Sequence, residues 1–81
     1  SVISAYPNPV ADRVAIKLGA AYTGLVQFTI VDATGRAVRM WSSSVPGDAP
    51  FLADLSALLP GAYTLHVDNG LVRSAVKLLK R

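Results

Sequence analysis

The feature that most constrains this chain is a two-residue alternation of apolar and polar side chains, which recurs in residues 13–18, 25–31 and 62–68. The apolar positions are Val14, Ile16 and Leu18 in the first segment, Val26, Phe28 and Ile30 in the second, and Tyr63, Leu65 and Val67 in the third. A period of two is typical of a half-buried strand, because successive side chains of a strand point to opposite faces. The pattern therefore predicts β-structure, and no segment predicts a long amphipathic helix.

Residues with turn chemistry separate these strands. Asp32 stands where a carboxylate can accept backbone N–H groups and Gly35 where a positive φ is needed, which predicts a three-residue hairpin with a bulge. The pair Asn69-Gly70 predicts a two-residue type I′ turn. Prolines and glycines predict a loop over 44–50 and another break at 60–61.

Four weaker segments complete the strand set, at 2–6, 36–41, 51–55 and 71–79, and residues 56–59 predict a single helical turn. About seven short strands are typical of an antiparallel, immunoglobulin-like β-sandwich. A packed core is expected, since 52% of the residues are hydrophobic and 16% are charged. We expect residues 1–81 to form one all-β domain, and the start at Ser1 leads us to expect that it was excised from a larger secreted protein.

The chain offers little of the chemistry that an enzyme needs. It has no cysteine, and its one histidine, His66, lies on the polar face of the 62–68 strand. Triad or general-base catalysis needs a histidine beside a nucleophile and a carboxylate, and no motif supplies them. The five acidic residues are single aspartates near turns, at positions 12, 32, 48, 54 and 68. We expect a non-enzyme with no cofactor and no metal site, and a calcium site made by two loops stays open.

Aromatic rings raise one further option, a flat platform for sugars. Trp41 and Tyr22 are the rings for which this option is plausible, whereas Tyr63 is expected in the core. Packing in the core or at its rim is the favoured role for these rings.

Positive charge is concentrated near the end of the chain. The net charge is +3, and half of the eight Lys and Arg residues are Arg73, Lys77, Lys80 and Arg81. We expect an exposed, charged final strand. Nucleic-acid binding is not expected, because no aromatic stacking platform accompanies the charge. Membrane insertion is not expected either, because no apolar run approaches the ~18 residues of a span.

Taken in order, the motifs of the chain resemble the type A C-terminal sorting domains of type IX secretion (Por secretion) cargo proteins from Bacteroidota. The entry motif is Tyr6, Pro7, Asn8 and Pro9, and it precedes a strand that starts with Asp12-Arg13-Val14. The turn motif is Asp32, Gly35 and Arg36. Asp54-Leu55-Ser56, then Gly61 and Tyr63, then Gly70 followed by Lys77 and Lys80 are similar to the remaining blocks. Arg73-Ser74 stands where the family often has another lysine.

The resemblance implies an address that directs a larger protein through the periplasm to the cell surface or the medium. It implies recognition by an outer-membrane translocon and later removal by a sortase-like peptidase. As a hypothesis we place translocon recognition on Gly61, Tyr63, Gly70, Lys77, Lys80 and Arg81. The alternative is an immunoglobulin-like or fibronectin-like accessory module of a surface protein, serving as a glycan-binding unit or a spacer. Weak self-association through an edge strand is also left open.

Overall fold

The computed structural model describes residues 3–19, 22–44 and 50–81. In chain order its strands are β1 (Ser4–Tyr6), β2 (Arg13–Lys17), β3 (Leu25–Asp32), β4 (Ala37–Ser44), β5 (Phe51–Asp54), β6 (Gly61–Asp68) and β7 (Arg73–Lys80). One sheet has the order β1-β2-β5 and the other β4-β3-β6-β7, with antiparallel pairing throughout. This small β-sandwich confirms the predicted fold class. The described part of the chain contains no helix, and therefore none that could cross a membrane.

In place of the helical turn predicted at 56–59, one isolated turn follows β5, in which the N–H of Leu58 donates to the carbonyl of Leu55 at 3.0 Å. Val2 of the predicted first strand and residues 45–49 of the predicted loop, including Asp48, lie outside the described residues.

The core lies between the sheets and is built from the inward positions of the alternating strands. Residues that are at most 1% exposed include Val14, Ile16, Val26, Phe28, Ile30, Leu65 and Val67. The packing role favoured for Tyr22 is confirmed, because its side chain is 2% exposed and its hydroxyl donates to the carbonyl of Val67 at 3.5 Å. Tyr22 fills the core because it crosses from the end of the first sheet to β6.

Trp41 is half-buried and packs at the rim of the core. Its ring stacks on Phe28 with a centroid separation of 5.1 Å, and Phe51 of the other sheet stacks on Phe28 at 4.9 Å. This aromatic cluster joins the two sheets at the β4–β5 side of the sandwich. The packing role that the sequence favoured for Trp41 is confirmed.

The two predicted hairpins have different outcomes. The turn at Asp32 forms as expected, with a φ of 89° at Gly35 and a 3.0 Å hydrogen bond from its N–H to the carbonyl of Asp32. The two-residue turn at Asn69-Gly70 is wrong, because β6 ends at Asp68 and β7 begins at Arg73. A type I′ turn needs a positive φ at both central residues, and no described non-glycine residue has one. The side chain of Asn69 instead accepts the N–H groups of Leu71 and Val72, at 3.0 and 2.8 Å.

Candidate functional site

Most residues singled out by the sequence gather at one end of the sandwich. We call this end the C-terminal pole and define it as residues 7–10, 32–36, 59–63 and 77–81. Strand register brings these segments together, since Asp32 pairs with Tyr63 and Gly61 pairs with Lys80. Gly70 is the exception, because it lies in the β6–β7 turn at the opposite end of the hairpin.

The entry motif reaches the last strand through the side chain of Asn8. Its Nδ2 donates to the carbonyl of Lys77 at 3.0 Å, and its Oδ1 accepts the N–H of Leu79 at 2.9 Å. The amide therefore pairs with β7 as the backbone of a neighbouring strand would. Prolines on both sides of Asn8 have no N–H, so the side chain supplies the donor that the backbone there lacks.

Val10 continues this pairing toward the end of the chain. Its N–H donates to the carbonyl of Leu79 at 2.7 Å, and its carbonyl accepts the N–H of Arg81 at 2.8 Å. Val10 is fully buried, and it forms a parallel bridge with Lys80. The expectation of an open final edge is therefore wrong for residues 77–81, because Asn8 and Val10 already occupy it.

Tyr63 anchors the start of β6 through its hydroxyl group, and its ring lies at the edge of the core. Its hydroxyl donates to the carbonyl of Leu59 at 2.6 Å, four residues upstream. The residue is half-buried and packs against the core cluster, so the sequence placed it too deep. A tyrosine near the start of strand F that bonds upstream backbone is the tyrosine corner of immunoglobulin-like sandwiches, and β6 is the equivalent sixth strand.

Gly61 precedes this tyrosine and has a φ of 154°. A Cβ at this position would meet the ring of Tyr63 at 4.0 Å, which is an ordinary contact distance. Glycine is therefore required here by the backbone conformation and not by a close approach of the neighbouring ring.

The turn motif is held by the carboxylate of Asp32. Its Oδ1 accepts the hydroxyl of Thr34 at 2.6 Å and the N–H groups of Thr34 and Arg36 at 2.9 and 3.1 Å. The hydroxyl of Thr34 and then the N–H of Arg36 hold the pKa of Asp32 below its ordinary value. Asp32 is thus satisfied within its own turn, and the side chain of Arg36 stays exposed.

Lys80 differs most from its expected place in an exposed basic tail. Along β7 the even positions face the sandwich, so Lys80 lies on the same side as Leu78 and is 7% exposed. Its Nζ donates to the backbone oxygen of Arg81 at 3.0 Å. With 7% of its surface exposed, Lys80 contributes little to the accessible surface of the pole.

The accessible chemistry of the pole is therefore carried by Lys77 and Leu79 of β7 and by Arg81, which directly follows the strand. Lys77 and Arg81 are exposed, and Leu79 between them keeps 50% of its surface open. Among the described residues neither cation has a salt-bridge partner, since the ion pair found there joins Arg73 to Asp68. Lys77 and Leu79 also line a shallow groove of about 270 Å³ whose floor includes Ala62 and Thr64.

Other candidate residues stay apart from this surface. His66 is exposed on the outer face of β6. Within residues 3–19, 22–44 and 50–81, no three His, Cys, Asp or Glu side chains come together as a metal site would require. Asp54 and Asp68 each accept a backbone N–H in a neighbouring turn, from Ser56 and Gly70, as the sequence predicted for turn aspartates.

Sequence reasoning missed Val10 altogether, and it named Asn8 without its role in pairing with β7. Val10 lies in a single bridge between two bends, so it carries no alternating pattern. The role of Asn8 as a partner of β7 depends on a contact across 69 positions, which no local pattern reveals.

These features define a small β-sandwich module whose accessible chemistry is a cationic and apolar strand end, displayed by a fixed scaffold. The sequence profile of the secretion system C-terminal sorting domains matches residues 4–81, which is nearly the whole chain. The chain belongs to this family, the sorting domains of type IX secretion. A comparison with curated proteins gives no match.

Membership in this family defines the role of the chain in outline. It is a type IX sorting signal that interacts with the secretion machinery and directs export to the cell surface or the medium. Sorting signals of this kind are not a catalytic family.

Proposed function

We propose that this domain is the C-terminal address of a larger exported protein, and that the outer-membrane translocon reads it through Lys77, Leu79 and Arg81. The cargo reaches the periplasm by its own signal peptide, and the translocon then docks on the C-terminal pole. The domain itself performs no catalysis, and its part in transport is to present a surface.

The observation that carries this proposal is the pairing of Asn8 and Val10 with β7. Four hydrogen bonds of 2.7–3.0 Å hold residues 77–81 against the entry segment. The backbone from which Lys77, Leu79 and Arg81 project is consequently ordered, which sets the spacing of their side chains along the strand. Such a segment costs less conformational entropy on binding than a loose tail would, because its backbone is already ordered.

The other motif residues stabilise the backbone that carries these three side chains. Tyr63 anchors the start of β6, Gly61 supplies the backbone conformation that precedes it, and β6 in turn pairs with β7 along its full length. Asp32 organises the adjacent hairpin. In this proposal those residues act by positioning the surface, whereas Lys77, Leu79 and Arg81 contact the partner.

The chemistry of the surface indicates what the partner supplies. Two cations without a carboxylate partner among the described residues fit an acidic surface, with an apolar side chain placed against Leu79. After translocation a sortase-like cysteine peptidase cuts the chain upstream of the domain, and the cargo is released or attached to the surface.

The direct test is a fusion of residues 1–81 to a periplasmic reporter in a Bacteroidota host. We expect the reporter at the cell surface or in the medium, and we expect a reporter without the domain to stay in the periplasm. Periplasmic retention of the fusion, in a strain that exports a known sorting domain, would contradict the proposal and favour an accessory module.

Substitution is a better probe of the tail than deletion of residues 77–81. The side chains of Leu78 and Lys80 are buried, and residues 77–80 pair with β6. Removing this segment therefore opens the core, and a loss of export would not separate recognition from unfolding.

A further inference from the structure

β4 is an edge strand whose outer side carries no other strand among the described residues. It ends the four-stranded sheet and pairs only with β3 there. The strand is eight residues long and contains no proline. An edge of this length presents a row of unpaired backbone groups, which is a template for pairing with another strand.

The direction of these backbone groups follows from the β3–β4 hairpin. The N–H of Asp32 donates to the carbonyl of Arg36 across the hairpin at 2.9 Å. The backbone N–H and C=O groups of every second residue of β3 therefore point toward β4. The β4 residues that pair with them are Arg39, Trp41 and Ser43. The residues between those partners, Met40, Ser42 and Ser44, direct their N–H and C=O groups away from the sheet.

The other sheet edges are protected. β1 has three residues and runs into Pro7, and β5 has four residues directly after Pro50. β7 is covered by Asn8 and Val10 over its last residues, and its remaining part carries Arg73 and Lys77. Short strands, prolines and charged side chains are the means by which natural edges avoid pairing.

We propose that β4 pairs antiparallel with β4 of a second copy of this chain, forming one continuous eight-stranded sheet. The net charge of +3 opposes any association of two copies, and β4 adds little to this repulsion because it has one charged residue. The one charged residue of β4, Arg39, turns toward the other sheet, where its Nη1 donates to the carbonyl of Asp54 at 2.9 Å. Two β4 edges therefore meet without opposing charges of the same sign.

The register of this pairing is centred on Ser42. Centring the two-fold axis there places Ser42 opposite its own copy and Met40 opposite Ser44 of the other copy. All three are residues whose backbone groups point outward, so each facing pair exchanges hydrogen bonds. The contact stays beyond the irregularity at Val31, where the β3–β4 register shifts.

Sedimentation of the isolated domain tests this proposal with a matched set of variants. The average mass of the wild type should rise above 8.5 kDa toward twice that value as concentration approaches about 1 mM. Ser42→Lys should keep the chain monomeric, because two ammonium groups then face each other across the axis. Ser42→Ala should still associate, which shows that the hydrogen bond from Ser42 to Gln27 is not the cause.

Two further samples test whether β4 is the edge in contact and whether the pairing is centred on Ser42. Ala75→Lys adds the same charge to the exposed outer side of β7 and should associate like the wild type. An equimolar mixture of Ser42→Lys and Ser42→Asp should associate at least as well as the wild type. A wild type that stays at 8.5 kDa at every concentration would overturn the proposal. Loss of association in Ala75→Lys, or association of Ser42→Lys like the wild type, would overturn it equally.

Discussion

The side-chain amide of Asn8 hydrogen-bonds to the backbone carbonyl of Lys77, 69 positions further along the chain. The same amide accepts the N–H of Leu79. The start and the end of the domain are thereby joined where the exposed cations of β7 stand. The entry motif is thus a structural partner of the last strand, and it contacts the backbone of the proposed recognition surface.

Asn8→Ala should lower the free energy of unfolding by about 1–2 kcal/mol, because two hydrogen bonds are lost at a partly accessible edge. Asn8→Asp should cost more, because it keeps the acceptor for Leu79 but sets a carboxylate against the carbonyl of Lys77. Urea denaturation measures both changes. Leu71→Ala is the control, since Leu71 is 92% exposed and should change little. Equal stability of Asn8→Ala and the wild type would contradict the role of the amide.

Removing one hydroxyl tests the tyrosine corner. Tyr63→Phe should cost about 1 kcal/mol, because the carbonyl of Leu59 loses its donor while the ring stays in place. Tyr63→Ala should cost about 2–3 kcal/mol, below the ~3–5 kcal/mol typical of a fully buried aromatic ring, because this ring is half-buried. Tyr6→Phe is the matched control, since Tyr6 is 47% exposed. The corner is refuted if both Phe variants melt at the temperature of the wild type.

The hairpin glycine gives a conformational test that involves no packing. Gly35→Ala should destabilise by about 1–2 kcal/mol, because a Cβ is strained at a φ of 89° although no atom lies within 4 Å of it. Gly35→Asn should cost less, since asparagine tolerates this region better. Thermal unfolding of the two variants should show this order, and the reverse order would argue against the turn as described.

Acid should weaken the domain through its turn carboxylates. Hydrogen bonds hold the pKa values of Asp32, Asp54 and Asp68 below the ordinary 3.8. Because the folded pKa is the lower one, the stabilisation is complete above the ordinary pKa and is lost as pH falls through the folded values. Asp32→Asn should therefore be less stable than the wild type near neutral pH, and the gap should close in acid. The measurement is the urea midpoint of both proteins from neutral pH into acid. A difference in stability that stayed constant over this pH range would contradict the stabilising role of the Asp32 carboxylate.

The sequence could predict the fold because the signals that specify it are local. Alternation located Val14, Phe28 and Leu65 in the core, and Asp32 with Gly35 specified a hairpin that formed as expected. The Asn69-Gly70 turn was mispredicted because the side chain of Asn69 bonds to the backbone of its own loop, which competes with the two-residue turn.

The surface could be predicted only in part, because side-chain accessibility depends on contacts between distant segments. Lys77, Lys80 and Arg81 look alike in sequence, yet Lys80 faces the core and the other two face outward. Asn8 and Val10 cover an edge that the sequence left open, and neither belongs to an alternating segment. The proposed recognition surface therefore consists of the outward side chains of Lys77, Leu79 and Arg81.

Export of charge-reversed fusions tests the central claim most directly. Lys77→Glu and Lys17→Glu make the same change on exposed strand positions, one at the C-terminal pole and one on the other sheet. Lys17→Glu and the double variant with Lys77→Glu and Arg81→Glu should both fold like the wild type, as thermal unfolding will verify. We expect a reporter carrying Lys17→Glu to reach the cell surface or the medium, and one carrying Lys77→Glu together with Arg81→Glu to remain in the periplasm. Full export of the folded double variant would contradict the claim that the pole carries the address.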